Sequence, residues 1–178
     1  MRTPGLLTIL TLGGALTLSA QQAPVPPNPE IDVEAYLRSV RAAARLRESH
    51  RVTEEEFLRM SREPGTIVLD ARSRQKYDEL HVKGAVNLSF PDIAIDTLKA
   101  LIPDKATRIL IYCNNNFRNA TGPFPSKLPA ASLNHSTYTA LYSYGYRNVW
   151  ELGPLIDIRT IRLPFDPPAT LEAIQKVR

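Results

Sequence analysis

The chain has 178 residues, 43% of them hydrophobic and 22% charged, which fits one packed domain and excludes global disorder. Its formal net charge of +4 falls to +3 when the first twenty residues, whose one charge is Arg2, are set aside. No long run of like charges appears, so no nucleic-acid partner is expected, and Arg38, Arg41, Arg45, Arg47 and Arg51 read as one solvated helix face.

Arg2 precedes an apolar, uncharged run from Leu6 to Leu18, and Ser19-Ala20 offers small residues for cleavage. Residues 1–20 therefore read as a secretory signal, with a retained N-terminal anchor as the alternative. The run is shorter than the ~20 residues of a spanning helix, so no stable membrane span is expected. The domain is expected to be exported, to the periplasm or beyond. Residues 21–30 are a proline-rich linker that should be extended, and residues 31–178 form the domain, beginning with a helical extension.

Apolar positions at helical spacing predict a helix over 31–48, and Thr53 before Glu54, Glu55 and Glu56 predicts a second that stops near Met60. Residues 66–70 (TIVLD), 84–88 and 108–112 (RILIY) are short apolar runs that read as strands, as does 148–152 after the turn at Gly145. Helices are expected at 73–80, 93–101, 136–144 and 169–177. Strands alternating with helices predict an α/β fold, a mainly parallel central sheet flanked by helices on both faces. Trp150, Tyr142, Tyr144 and Tyr146 fall at core spacing.

One cysteine, Cys113, excludes an internal disulfide. In an oxidising compartment a lone thiol is buried and inert, paired between chains, or kept for its reactivity. Cys113 ends a predicted strand, where ligands bind in parallel sheets. In Cys113-Asn114-Asn115-Asn116-Phe117-Arg118, a loop curling round the sulfur would turn backbone N–H groups inward as an anion nest. Three consecutive asparagines suit such a curl because asparagine tolerates left-handed backbone. Arg118 could return to the mouth, where its planar fork matches a sulfonate, a phosphate or a similar oxyanion.

Taken together, Leu69-Asp70-Ala71-Arg72, then His81, Gly84-Ala85-Val86-Asn87, then Cys113-x4-Arg118, then Gly145-Tyr146-Arg147-Asn148-Val149 resemble the rhodanese-like (sulfurtransferase) family in order and spacing, over about residues 50–160. The resemblance implies a rhodanese-like fold in which Cys113 takes a sulfane sulfur as a persulfide and passes it to an acceptor. The donor would be a small anion such as thiosulfate, or a polysulfide, and the acceptor a thiol or a cyanide-like nucleophile. It implies substrate contacts from Asn114, Asn115, Asn116, Phe117 and Arg118, support from an Asp70–Arg72 ion pair, and neither metal nor organic cofactor. Four residues between Cys113 and Arg118, one fewer than in similar phosphatases and arsenate reductases, favour sulfur over phosphate.

The chain departs from that pattern after Arg118. Residues 119–135, rich in proline, read as an insertion before the next helix, a lid or a surface for a protein partner through Phe124 and Leu128. Within the loop Arg118 is the sole cation, which leaves room for a non-catalytic module that binds an anion or a partner, or for a cysteine phosphatase or redox-sensing thiol. His81 falls in the turn motif and reads as structural; His50 and His135 read as surface residues, although His135 could approach the thiol.

Overall fold

The computed structural model describes residues 25–120 and 122–167. The expected signal segment 1–20, the first four linker residues, and the expected helix at 169–177 lie outside the described residues. Residues 25–28 have no regular structure, followed by a turn at 29–30.

In chain order the elements are α1 (Val33–Glu48), β1 (Arg51–Val52), α2 (Glu54–Ser61), β2 (Thr66–Asp70), α3 (Arg74–Glu79), β3 (His81–Val82), β4 (Val86–Asn87), α4 (Ile95–Leu101), β5 (Arg108–Tyr112), β6 (Phe117–Arg118), α5 (Leu133–Ser143), β7 (Val149–Leu152), β8 (Ile156–Asp157) and β9 (Phe165–Asp166). Local chemistry starts the helices. Asp32 accepts from the Ala35 N–H at 2.8 Å, and Thr53 accepts from the Glu56 N–H at 3.2 Å.

The five-stranded sheet runs β1-β7-β5-β2-β4, and every neighbouring pair is parallel. Helices cover both faces, so the strands are buried on both sides, as their unbroken apolar runs required. Ile109, Ile111, Leu69 and Val149 join Ala43 of α1, Leu98 of α4, and Tyr138 and Leu141 of α5. On the other face Leu110, Tyr112, Val68 and Leu152 meet Phe57 and Met60 of α2, together with Val82, Phe117, Phe124 and Phe165.

One strand of the main sheet and two small strand pairs escaped the sequence. β1 and the antiparallel β3–β9 and parallel β6–β8 pairs are two residues long, too short to show alternation. The expected strand at 84–88 narrows to Val86–Asn87 because Gly84 adopts φ +81, a left-handed turn that a strand cannot include. Tyr146 is fully buried, whereas Tyr142, Tyr144 and Trp150 are partly buried at the edge of the core.

The acid–arginine motif is a brace. The Asp70 carboxylate accepts from Arg72 Nε at 3.0 Å and from Nη2 at 2.6 Å, with both side chains buried. Arg72 also donates to the Leu80 and Pro123 carbonyls at 2.7 and 2.9 Å, and its guanidinium lies 4.2 Å from the Phe124 ring centroid. Asn87 Nδ2 donates to the Asp70 and Arg72 carbonyls at 2.9 Å each, which joins the two halves of the motif. His81 stacks on Tyr77 with ring centroids 3.7 Å apart, a packing position.

Candidate active site

β5 delivers Cys113 to the carboxyl edge of the sheet, directly after the central strand. The residue is fully buried, yet it lines a cavity of about 430 Å³. Its Sγ lies 3.3 Å from Ser132 Oγ, the residue that precedes α5. The thiol therefore sits against the start of an eleven-residue helix, where the backbone dipole favours negative charge.

The loop after Cys113 differs from the expected nest. Asn114–Asn116 form a single 3₁₀ turn, and the left-handed asparagine is instead Asn119, at φ 63. The Asn116 N–H donates to the Cys113 carbonyl at 3.1 Å, the Phe117 N–H donates to the Asn114 carbonyl, and the Cys113 N–H donates to Asn116 Oδ1 at 2.9 Å. Those three amides are occupied within the turn and do not face an anion. The asparagine side chains explain the turn. They replace main-chain partners, as short amides do in loops.

Asn115 and Asn116 each tie the turn to a different segment. Asn116 Nδ2 donates to the Leu152 and Pro154 carbonyls at 2.7 and 3.2 Å, tying the loop to the end of β7. Asn115 forms a reciprocal pair with Lys127: Nδ2 donates to the Lys127 carbonyl at 2.9 Å, and its Oδ1 accepts from the Lys127 N–H at 3.0 Å. Asn114 does not reach the cavity of Cys113. It lines a second cavity of about 340 Å³ beside Arg72, Lys76 and Pro125. The direction of the 3₁₀ turn separates it from its neighbours.

Phe117 touches the cavity wall, but its ring belongs to the core. It packs 4.5 Å from Phe124 and 5.6 Å from Phe165, centroid to centroid. Core packing thus fixes the Phe117 ring at the edge of the cavity. Arg118 does return to the cavity, with its side chain 63% exposed and Nε 3.7 Å from Asp157 Oδ2. Hydrogen bonds from the Arg159 side chain and amide hold the Asp157 carboxyl well below its ordinary range.

The 119–135 segment ends earlier than expected. Leu133, Asn134 and His135 carry no helix breaker and form the first turn of α5. Phe124 is buried, filling the core below Arg72, whereas Leu128 is 78% exposed. His135 lines the same cavity as Cys113.

Sequence reasoning missed the cations that come from elsewhere. Arg47 on α1, Arg51 on β1 and Lys127 join Arg118 around the cavity, with Glu151 its one lining carboxylate among the described residues. Arg47, on the helix face expected to be solvated, instead donates to both oxygens of the buried Glu151. Glu151 in an otherwise apolar strand was the available signal, since a buried carboxylate demands a cation. Ser132, hidden inside the irregular segment, gave none. Among the described residues no helix is long and apolar enough to cross a membrane.

The sequence pattern of the "Rhodanese-like domain" family matches residues 53–153. Among solved structures, the chain is similar to the rhodanese-like domain of an Anabaena sp. protein, at 20% identity and TM-score 0.49 over 69% of this chain and 81% of that one. It is also similar to a rhodanese with anions from E. coli, at 22% identity and TM-score 0.38 over 56% and 95% of the two chains. A thiosulfate sulfurtransferase from Pseudomonas aeruginosa shares 18% identity and a TM-score of 0.37 over 67% of this chain and 20% of that one. No curated protein sequence matches the chain.

Proposed function

The chain belongs to the rhodanese-like domain family, and on that footing we propose that it is an exported sulfurtransferase carrying sulfane sulfur on Cys113. The observation that supports this most is the placement of a lone thiol on a cationic cavity, 3.3 Å from a serine hydroxyl at a helix start.

The chemistry balances in two displacements. The Cys113 thiolate attacks the outer sulfur of thiosulfate; a new S–S bond forms as the old one breaks, and sulfite departs with the electron pair. An acceptor thiolate or cyanide then attacks the terminal sulfur of the persulfide, and the Cys113 thiolate is released. Ser132 donates to the sulfur anion in both states. Arg118 and Lys127 draw the anionic donor to the mouth, and Asn115 and Asn116 hold the loop and the 125–129 wall in place. Asp70 and Arg72 act through the fold rather than on substrate.

Steady-state turnover of thiosulfate and cyanide to thiocyanate tests the reading. Activity that is lost in Cys113→Ser supports it. Hydrolysis of an aryl phosphate without any thiocyanate formation overturns it in favour of a phosphatase.

A further inference from the structure

Glu151 is a carboxylate in the middle of a buried parallel sheet, 4% exposed, on the strand beside the one that carries Cys113. A charge there is costly unless it is fully paired. Arg47 pairs with it side-on: Nη2 donates to Oε1 at 2.7 Å, and Nε donates to Oε2. This arrangement uses one edge of the guanidinium. Among the described residues Nη1 has no protein acceptor, and the side chain is 24% exposed, on the cavity that Cys113 lines. The hydrogen bond to Glu151 raises the Arg47 pKa, and Cys113 contributes the least of the groups that raise it.

The remaining neighbour is Tyr138 of α5, whose pKa is pushed up to about 12 by burial and then by the Glu151 carboxylate, so it stays neutral. The other cations are less firmly held. Arg118 is 63% exposed beside an aspartate already bonded to Arg159, and Arg51 donates an exposed bond to the Gly153 carbonyl at 3.0 Å. A guanidinium with a fixed plane and a free edge matches the oxygens of a sulfonate-type head group. Arg47 also lies outside residues 53–153, on the helix that precedes the segment matching the family.

We infer that Arg47, oriented by Glu151, is the anion seat of this site and selects donors that carry an oxyanion next to the sulfane sulfur, such as thiosulfate or an alkyl thiosulfonate. The identity of that donor rests on the reading of Cys113 as sulfur carrier; the anion seat itself does not. Glu151 is then a positioning residue, acting through Arg47.

Alkylation of Cys113 by iodoacetate and by iodoacetamide separates the two ideas, because the reagents differ chiefly in charge and neither needs sulfur transfer. Arg47→Met/Glu151→Gln removes the pair without stranding a buried charge, and a thermal melt checks its fold. The iodoacetate-to-iodoacetamide rate ratio should fall about tenfold, the loss of one charge-assisted hydrogen bond, and by less in Arg118→Met. The KM for thiosulfate should rise more than kcat falls. In Glu151→Gln alone the ratio should also fall, although the cavity becomes more positive; a rise would overturn the positioning role. A ratio unchanged in the folded double variant would overturn the anion seat. An Arg47-dependent ratio with no persulfide from any donor would support the seat and overturn the sulfur-carrier reading.

Discussion

Ser132 Oγ lies 3.3 Å from Cys113 Sγ, although 19 residues separate the two in sequence. The irregular segment after Arg118 therefore leaves the helix start beside the thiol. A hydroxyl in this position stabilises a sulfur anion by donation. Ser132→Ala should slow Cys113 alkylation by iodoacetamide at neutral pH by about threefold to tenfold, the worth of one hydrogen bond to a charged group. A rate equal to that of the unaltered protein would remove Ser132 from the mechanism.

The Asn115–Lys127 pair fastens the 125–129 wall to the active loop. Asn115→Ala deletes both hydrogen bonds and should leave global stability within about 1 kcal/mol, since the pair is exposed. Labelling of Cys113 by a bulky maleimide should nevertheless accelerate severalfold, while small reagents change little. Equal acceleration for both sizes would mean that the loop had lost its order rather than its wall.

Asp70 and Arg72 are a buried pair, 0% and 3% exposed. Breaking such a pair from one side leaves an uncompensated charge, so Asp70→Asn should cost about 3–5 kcal/mol in urea unfolding. Phe124→Ala should cost about 3–5 kcal/mol as well, because the ring is fully buried and its loss opens a core cavity. Leu128→Ala, at an exposed position, should fall within about 0.5 kcal/mol of the unaltered protein.

Asp157 gives a pH dependence with a definite sign. Its folded carboxyl is held below the ordinary value of 3.8, first by the Arg159 side chain, so folding favours the ionised form. The unfolded chain then binds more protons, and stability contributed by this group is present above the ordinary carboxylate range and lost as pH falls below it. Asp157→Asn should flatten the acid limb of the stability profile, measured by denaturation at stepped pH. An unchanged limb would show that the contact with Arg159 does not persist in solution.

The sheet was legible because its strands carry unbroken apolar runs; Thr66–Asp70 and Arg108–Tyr112 fall where those runs predicted. The site was legible only where its parts are contiguous. Cys113 at a strand end and Arg118 five residues on can be read locally, but the asparagine turn could not. Whether an Asn amide points its side chain into the loop or bends the backbone to the left is decided by distant carbonyls, here those of Leu152 and Lys127. The role of Arg47 is hidden for the same reason. Nothing in a helix rich in arginines marks which one a buried Glu151 will capture, and that choice follows from how α1 lies on β7.

Sulfur transfer at this site requires Cys113 to carry the sulfur. Intact mass of the purified protein after brief exposure to thiosulfate, without any acceptor, measures this directly. The expected result is a gain of one sulfur atom that is absent in Cys113→Ser and is discharged by cyanide with formation of thiocyanate. No gain from thiosulfate, polysulfide or a thiosulfonate, with the thiol still free to alkylate, would contradict it.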